Sequence, residues 1–173
     1  MTTVAPSPRI PAIALALRRR RADPQPTQPA AVLIASTGAP IPKEAVRRAI
    51  DLAGTQAVAV VTIAQIYGSA LGLPNPGLMP TRAELAAQRS NVERTVATIE
   101  KRGVLAWGQV AVTRHASRTI ARAAKARGVS HVVIVRSEAS RWRRVIEGDI
   151  VREVIRRLGP DVGVEAFTIP STP

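Results

Sequence analysis

The chain has 173 residues, which is enough for one domain with a sizeable core and leaves little for a second. It has no cysteine, so disulfides, thiolate metal sites and cysteine catalysis are excluded, and a reducing compartment is favoured. Its 25 basic and 12 acidic residues give a net charge of +13, a field that attracts polyanions such as RNA, DNA or an anionic membrane. No uncharged apolar run approaches the roughly 20 residues that span a bilayer, so we expect a soluble, unsecreted protein of the cytoplasm.

Residues 1–30 are predicted to form a disordered arm, because six prolines remove backbone donors and disfavour helix there. The arm contains five basic residues and one acidic residue, so residues 31–173 still carry 20 basic and 11 acidic residues. The arm is either a solubilising tail or, over residues 10–21, a short helix on an anionic surface. Its four consecutive arginines are Arg18, Arg19, Arg20 and Arg21.

Five short apolar segments of the remaining chain are predicted to be strands. The first, second and fourth are continuous apolar runs, which is typical of strands covered on both faces of a parallel sheet. The third is weaker, because Gly108 and Gln109 interrupt it. The predicted strands are residues 31–36, 57–64, 105–113, 131–135 and 163–169.

Segments with helical periodicity separate these strands. Thr81 and Glu84 have the spacing of a capping box, and Gly54 and Gly128 are suited to end the helices before them. The predicted helices are residues 42–52, 81–102, 116–127 and 150–158. This alternation indicates an α/β domain over residues 31–173, an open five-stranded parallel sheet with helices on both faces.

Ligands of such sheets bind beyond the carboxyl ends of the strands. The functional residues are therefore expected in the loops that follow the first four strands. These loops are residues 37–41, 65–80, 114–117 and 136–149.

The chain resembles the universal stress protein family over roughly residues 31–169. The segments that carry the resemblance are VLIASTG, QVAVTRHASRTIARAAKARGVSHVVIV and SRWRRVIEGDIVREVIRR, followed by a closing strand. The resemblance implies a Rossmann-like five-stranded parallel sheet and commonly a homodimer paired through the last strand, which is Gly163–Ile169 in this chain. In one branch of the family it also implies ATP or another adenine nucleotide at the loop after the fourth strand. That branch has an aspartate after the first strand and the motif Gly-x-x-Gly, nine residues, then Gly-Ser or Gly-Thr.

Most positions of that nucleotide motif differ in this chain. Thr37 stands at the aspartate position, and Val135 and Glu138 stand at the first two glycines. Gly148 is retained, but Asp149 replaces the serine or threonine. Added Cβ atoms and a negative charge hinder the approach of phosphate, and Asp149 is suited to cap the next helix with the N–H groups that phosphate would use. We therefore expect a degenerate motif, no conventional ATP binding and no required cofactor, with an adenine nucleotide as the open alternative.

Arginines in the same loop argue the other way, because they can form charge-assisted hydrogen bonds with phosphate. The alternative is that they lie on a solvated flap, with Trp142 packed on the domain or stacked on a base. The candidate ligand pocket comprises Thr37, Gly38, Arg136, Arg141, Arg143, Arg144, Gly148 and Asp149.

A second basic cluster lies on the helix after the third strand, at spacings of four, four and three that place its members on one helical face. Its members are Arg114, Arg118, Arg122 and Lys125. Arg152 and Arg156 add a pair on the last helix. With the arm, these side chains can follow a nucleic-acid backbone in a salt-sensitive way, or they can be the ordinary exposed face of an amphipathic helix. Aromatic residues for base stacking are nearly absent, so phosphate contact without stacking is the form of nucleic-acid binding that remains.

The two histidines, His115 and His131, give little support to catalysis. His115 lies beside Ser117, but Ser117 is better explained as helix-start chemistry, and no acid stands at a fixed spacing to orient the ring. His131 opens a strand and is most simply a surface or packed residue. We expect no enzymatic activity.

Two functional hypotheses follow from the sequence. The first is a universal-stress-protein-like dimer with a degenerate nucleotide site, which acts in a stress or dormancy response through a partner, such as an acidic protein, or through a small ligand. The second is a basic adaptor for RNA, the ribosome or DNA that uses the arm and the arginine stripe. A further explanation of the arginine content is genomic base composition, since lysine is scarce.

Overall fold

A computed structural model of the protein describes residues 28–66, 79–137 and 149–170. In these ranges five strands alternate with four helices. The strands are β1 (Val32–Ser36), β2 (Val58–Gln65), β3 (Ala106–Thr113), β4 (His131–Ser137) and β5 (Gly163–Ile169). The helices are α1 (Lys43–Ala53), α2 (Arg82–Glu100), α3 (Ala116–Arg127) and α4 (Ile150–Leu158). The arm predicted over residues 1–30 lies almost entirely outside the described ranges and stays a prediction.

The strands form one sheet in the order β3-β2-β1-β4-β5, and every neighbouring pair is parallel. Val32 of β1 lies between Val58 of β2 and His131 of β4. The predicted fold class, an open five-stranded parallel sheet with helices on both faces, is confirmed. The predicted ends of α3, α4 and β5 agree with the structure residue for residue, and the other elements differ by one or two residues at an end.

The three central strands β2, β1 and β4 are buried on both faces, as their continuous apolar runs predict. One core layer lies between the sheet and the pair α1 and α2, and the other lies between the sheet and the pair α3 and α4. Neighbouring residues of one strand alternate between the layers, so Val60 joins the first and Val61 the second. Within the described ranges, no helix combines the length and the apolarity needed to cross a membrane.

The predicted capping box at the start of α2 is present. Glu84 N donates to Thr81 Oγ1 at 3.1 Å, and Thr81 N donates to Glu84 Oε2 at 2.7 Å. The hydrogen bond from the Thr81 backbone, helped by the Thr81 hydroxyl, lowers the pKa of Glu84. Gly128 ends α3 in the left-handed conformation with φ 64°, also as predicted.

The start of α3 differs from the expectation. His115 is the N-cap residue and its side chain makes no capping hydrogen bond, whereas Ser117 is already the second residue of the helix. Thr113 organises this turn instead, because its Oγ1 accepts from His115 N at 3.1 Å and lies 3.1 Å from Thr119 Oγ1. The helix-start role assigned to Ser117 is therefore wrong.

Edge strand β5 is held to the body of the domain by contacts in its first half. Arg48 of α1 donates from Nε and Nη2 to the Glu165 carboxylate at 2.6–3.1 Å. These hydrogen bonds and the charge of Arg48 lower the pKa of Glu165. At the start of the strand the His131 ring lies over Gly163, where a Cβ would stand 2.6 Å from His131 Cδ2. Glycine is thus the residue that fits beneath this ring, because it has no Cβ.

Gly108 has a packing role in β3. A Cβ on Gly108 would lie 2.2 Å from Val92 Cγ1 and 3.0 Å from Val96 Cγ2, both on α2. The missing side chain therefore lets α2 approach the sheet closely. The glycine that weakens the strand pattern in the sequence is a requirement of the packing in three dimensions.

The substitution Gly108→Ala is expected to destabilise the fold by about 1–3 kcal/mol, because the added methyl group overpacks the contact with Val92. Urea unfolding measures this free energy. In a Val92→Ala background the cost of Gly108→Ala is expected to fall by at least about 0.5 kcal/mol, since the clashing methyl groups are gone. Equal costs in the two backgrounds would contradict the proposed contact.

Candidate functional site

The candidate site lies where β1 and β4 end side by side at the carboxyl edge of the sheet. The chain proceeds from β1 towards β2 and β3 on one side, and from β4 to β5 on the other, so this is the topological switch point. Thr37 N donates to Val135 O at 3.1 Å and joins the two strand ends. The loops 37–41 and 114–117 are described, whereas most of the loops 65–80 and 136–149 lies outside the described ranges.

The loop after β1 is fixed by side chains of α2. Gln88 Nε2 donates to Gly38 O at 3.1 Å, and Asn91 Nδ2 donates to Ala39 O at 3.4 Å. Gly38 has φ 92°, a left-handed value that favours glycine. Thr37, at the position of the family's aspartate, is half-buried at the start of this loop. The crevice therefore has one rigid wall that carries a hydroxyl instead of a carboxylate.

The opposite wall consists of Arg136 and Asp149. Asp149 is the N-cap residue of α4, and its Oδ1 accepts from Val151 N at 3.1 Å. The predicted helix-capping role of Asp149 is thereby confirmed. Arg136 Nη1 lies 3.8 Å from the same Oδ1, while Arg136 Nε donates to Thr168 Oγ1 of β5 at 3.1 Å. Arg136 thus links the end of β4 to β5 and to the start of α4, beside a carboxylate that partly neutralises it.

The structure places four of the eight predicted pocket residues, Thr37 and Gly38 on one wall and Arg136 and Asp149 on the other. The other four residues are outside the described ranges, as is Trp142, and their assignment stays a prediction. These four are Arg141, Arg143, Arg144 and Gly148.

A groove of about 670 Å³ lies between the start of α3 and one flank of α4. His115 and Ser117 line it from α3, and Asp149, Arg152 and Glu153 line it from α4. Sequence reasoning missed this groove, because nothing in the sequence shows how closely two helices 22 residues apart will pack. The sequence does indicate the ion pairs of Glu153, because two basic residues follow it by three and four positions.

Both acidic residues of that groove are paired, Asp149 with Arg136 and Glu153 with two arginines of α4. Glu153 accepts hydrogen bonds from Arg156 at 2.8 Å and lies 2.6 Å from Arg157 Nη2. The hydrogen bond from Arg156, with the charges of both arginines, lowers the pKa of Glu153. Arg152, by contrast, is exposed and has no ion-pair partner among the described residues.

The predicted basic stripe is present on the outer side of α3. Arg118, Arg122 and Lys125 are exposed, as is Arg114 in the preceding loop. None of the four side chains forms a salt bridge with a residue of the described ranges. The arginines of the arm, Arg18 to Arg21, lie outside those ranges, so their part in this cluster is untested.

The two histidines occupy opposite ends of the sheet. His131 packs on Gly163, with Nδ1 3.0 Å from Ser130 Oγ, at the amino end of β4. His115 is exposed at the carboxyl edge. In the part of the chain that the structure describes, no three histidine, aspartate or glutamate residues are grouped to hold a metal ion.

A five-stranded parallel sheet with a crevice at its switch point defines an α/β domain of the nucleotide-binding type. The sequence model of the universal stress protein family matches residues 30–162. The chain therefore belongs to the universal stress protein family, which confirms the resemblance seen in the sequence.

Three solved structures are similar to this chain. A universal stress protein family member from Burkholderia pseudomallei is 16% identical with a TM-score of 0.55, over 79% of this chain and 95% of that one. A universal stress protein from Archaeoglobus fulgidus is 16% identical with a TM-score of 0.51, over 78% and 91%. The universal stress protein from Archaeoglobus fulgidus in complex with dAMP is 18% identical with a TM-score of 0.49, over 80% and 96%. No curated protein sequence matches the chain significantly.

The cap of α4 can be tested by two substitutions at one position. Asp149→Ala is expected to lower the free energy of unfolding by about 1 kcal/mol, because Val151 N loses its acceptor. Asp149→Asn keeps an acceptor oxygen and removes the charge beside Arg136, so it is expected to retain most of the stability. Urea unfolding distinguishes the two, and an equal loss in both variants would assign the effect to the charge and not to the cap.

Proposed function

We propose that this universal stress protein is a non-enzymatic regulatory protein of the cytoplasm that acts in a stress or dormancy response by binding a partner or a small ligand. We also propose that it does not bind ATP in the conventional way of the nucleotide-binding branch. The observation that carries this proposal is the position of the Asp149 carboxylate on the N-terminus of α4.

The helix N-terminus is where a phosphate group would find free N–H donors and a favourable dipole. Asp149 occupies that position and accepts from Val151 N. A carboxylate about 4 Å from a phosphate charge costs about 1 kcal/mol in water and about 4 kcal/mol at an effective dielectric of 20. Arg136 offsets only part of this repulsion, since it is also engaged with Thr168.

The first position of the nucleotide motif, which lies on β4, also argues against conventional ATP binding. Val135 stands where the motif has glycine and is fully buried in the core, paired with Ser36 of β1. Its side chain belongs to the core layer beneath α1 and α2. The position therefore contributes to packing in this chain, and the backbone freedom that glycine would give is lost.

The absence of enzymatic activity is supported by the surroundings of the two histidines. His131 is engaged with Ser130 and Gly163, far from the loops at the carboxyl edge. In the described ranges neither ring has a hydrogen bond to a carboxylate that would orient it as a base. His115 and Ser117 share the groove but are not hydrogen-bonded to each other.

Titration calorimetry with ATP, AMP and cyclic AMP tests the nucleotide proposal. The unmodified protein, purified free of nucleic acid, is expected to show no micromolar binding. Asp149→Ser restores the Gly-Ser pair of the family motif and keeps a capping hydroxyl, so its affinity for ATP is expected to exceed that of the unmodified protein by about fivefold or more.

The matched control is Asp161→Ser, which removes the same charge from an exposed position at the opposite end of α4. Micromolar ATP binding by the unmodified protein would overturn the proposal. An equal gain in Asp149→Ser and Asp161→Ser would show that net charge, not the helix N-terminus, controls the affinity.

A homodimer through Gly163–Ile169 is the second part of the proposal. β5 pairs with β4 on one side, and its other edge has no partner strand in the described part of the chain. An unpaired edge is a template for another strand. A twofold axis that uses the whole strand would place its middle residue, Ala166, opposite its own copy.

Sedimentation equilibrium tests this arrangement. The unmodified protein is expected to be a dimer, and Ala166→Lys is expected to weaken dimerisation by about fivefold or more, because like charges directly across a strand pair destabilise it. Ala126→Lys adds the same charge at an exposed position of α3 and is expected to leave the dimer unchanged. A monomer at all concentrations, or equal effects of both substitutions, would contradict a β5 interface.

The second candidate function, a basic adaptor for RNA, the ribosome or DNA, is favoured by one observation. The 21 residues of α3 and α4 carry seven basic side chains and one acidic side chain. This charge is compatible with either nucleotide outcome, because the nucleotide proposal depends on Asp149, whereas the charge belongs to other residues of α3 and α4.

A further inference from the structure

One face of the domain carries positive charge that acidic neighbours do not balance. We call the exposed basic residues of α3 and α4 the α3–α4 basic face. Its members are Arg118, Arg122, Lys125, Arg152 and Arg156. Of these, Arg156 pairs with Glu153, and the other four have no ion-pair partner in the described ranges.

The two helices present this charge together. Both pack on the same side of the sheet and against each other. The buried residues of α3 include Ile120 and Ala124, so Arg118, Arg122 and Lys125 point away from the sheet, to solvent. Arg118 and Lys125 are seven residues apart, which is roughly 10 Å along the helix axis. Arg152 adds a positive charge across the groove between the helices.

The opposite side of the sheet provides an internal comparison. The 30 residues of α1 and α2 carry six basic and five acidic side chains, whereas the 21 residues of α3 and α4 carry seven and one. A compositional preference for arginine acts on both pairs of helices alike. The two pairs differ in basic residues, six in 30 against seven in 21, and more strongly in acidic residues, five against one. The face on α3 and α4 is therefore a localised field that attracts anions.

The scarcity of large apolar and aromatic side chains on this face indicates which kind of polyanion it can bind. A protein interface has an apolar or aromatic centre, and a membrane-binding helix needs bulky apolar residues at the surface. Ile155 is the one large apolar side chain on α3 and α4 that is strongly exposed. Neither helix has an aromatic residue on which the bases of a single strand could stack. The phosphate backbone of a duplex needs neither feature.

We propose that the α3–α4 basic face is a docking surface for the phosphate backbone of a nucleic-acid duplex, bound without sequence preference. This proposal deepens the second candidate function by naming the surface and the form of nucleic acid. Arg118, Arg122 and Lys125 contact phosphates from α3, and Arg152 contacts them from α4. The groove lined by Arg152 and Ser117 lies between the two lines of contact.

The test uses the full chain and 20-base-pair duplexes of DNA and RNA, with affinity measured by fluorescence anisotropy between about 50 and 200 mM salt. The triple variant Arg118→Gln, Arg122→Gln, Lys125→Gln removes three contacts. The slope of log K against log salt for the DNA duplex is expected to become shallower by roughly 2.7, at about 0.9 per phosphate contact. At about 100 mM salt the affinity is expected to fall at least tenfold.

The matched control is Arg82→Gln, Arg89→Gln, Arg94→Gln, which removes three exposed basic residues from α2 on the other face. It lowers the net charge equally and is expected to change the slope by less than about 1. Circular dichroism and urea unfolding are expected to show that both variants stay folded, since all six side chains are exposed.

Several results would overturn the proposal. They are no duplex binding by the full chain, equal slope changes in the two triple variants, and full loss of binding on deletion of residues 1–30 with no effect of the α3 substitutions. Tighter binding to anionic vesicles or to single strands than to duplexes would also overturn it. The nucleotide titrations depend on Asp149 and not on these residues, so the failure of one proposal is distinguishable from the failure of the other.

Discussion

The pairing of β1 with both β2 and β4 is the constraint on which the other features depend. Every residue of β1 is buried, so this strand is fixed in the middle of the sheet. The chain runs from β1 towards one edge of the sheet and from β4 towards the other. The ends of β1 and β4 consequently lie side by side, joined by the hydrogen bond from Thr37 N to Val135 O. Residues separated by about a hundred positions in sequence thereby form the two walls of one crevice. The helices that follow β1 and β4, which are α1 and α4, therefore both begin at this edge of the sheet.

Within that crevice, the Asp149 carboxylate engages one of the free N–H groups at the N-terminus of α4, and its negative charge repels an anion that approaches the others. A capping carboxylate is covalently present and accepts from Val151 N at all ligand concentrations, whereas a phosphate group must be recruited from solution. The substitution of one side chain at the cap therefore changes the chemistry of the site without changing the sheet, the helix or the path of the chain. The family fold and the proposed change of ligand preference are compatible for this reason.

The sequence predicted the fold well because its signals are local. Gly128 marks the end of α3 and Asp149 the start of α4, and these ends agree with the structure. The sequence could not show the contacts that join distant elements, such as the Arg48–Glu165 pair across 117 residues or the fit of α2 over Gly108. The candidate site was predicted in part, since Arg136 and Asp149 meet as neighbours of one loop, whereas the groove depends on how α3 packs on α4. The Ser117 interpretation was wrong because a serine two residues past the cap cannot be distinguished in sequence from one at the cap.

The distribution of charge adds a constraint that is independent of the crevice. The inner sides of all four helices are fixed by apolar packing on the sheet, so their outer sides can vary without cost to the core. On α1 and α2 the basic and acidic residues balance almost completely, whereas α3 and α4 have one acidic residue, Glu153, which is itself paired with two arginines. Self-repulsion among unpaired cations destabilises a folded protein slightly, and acidic neighbours would relieve it. An external anion, such as the duplex proposed for the α3–α4 basic face, would supply the missing negative charge and relieve this repulsion.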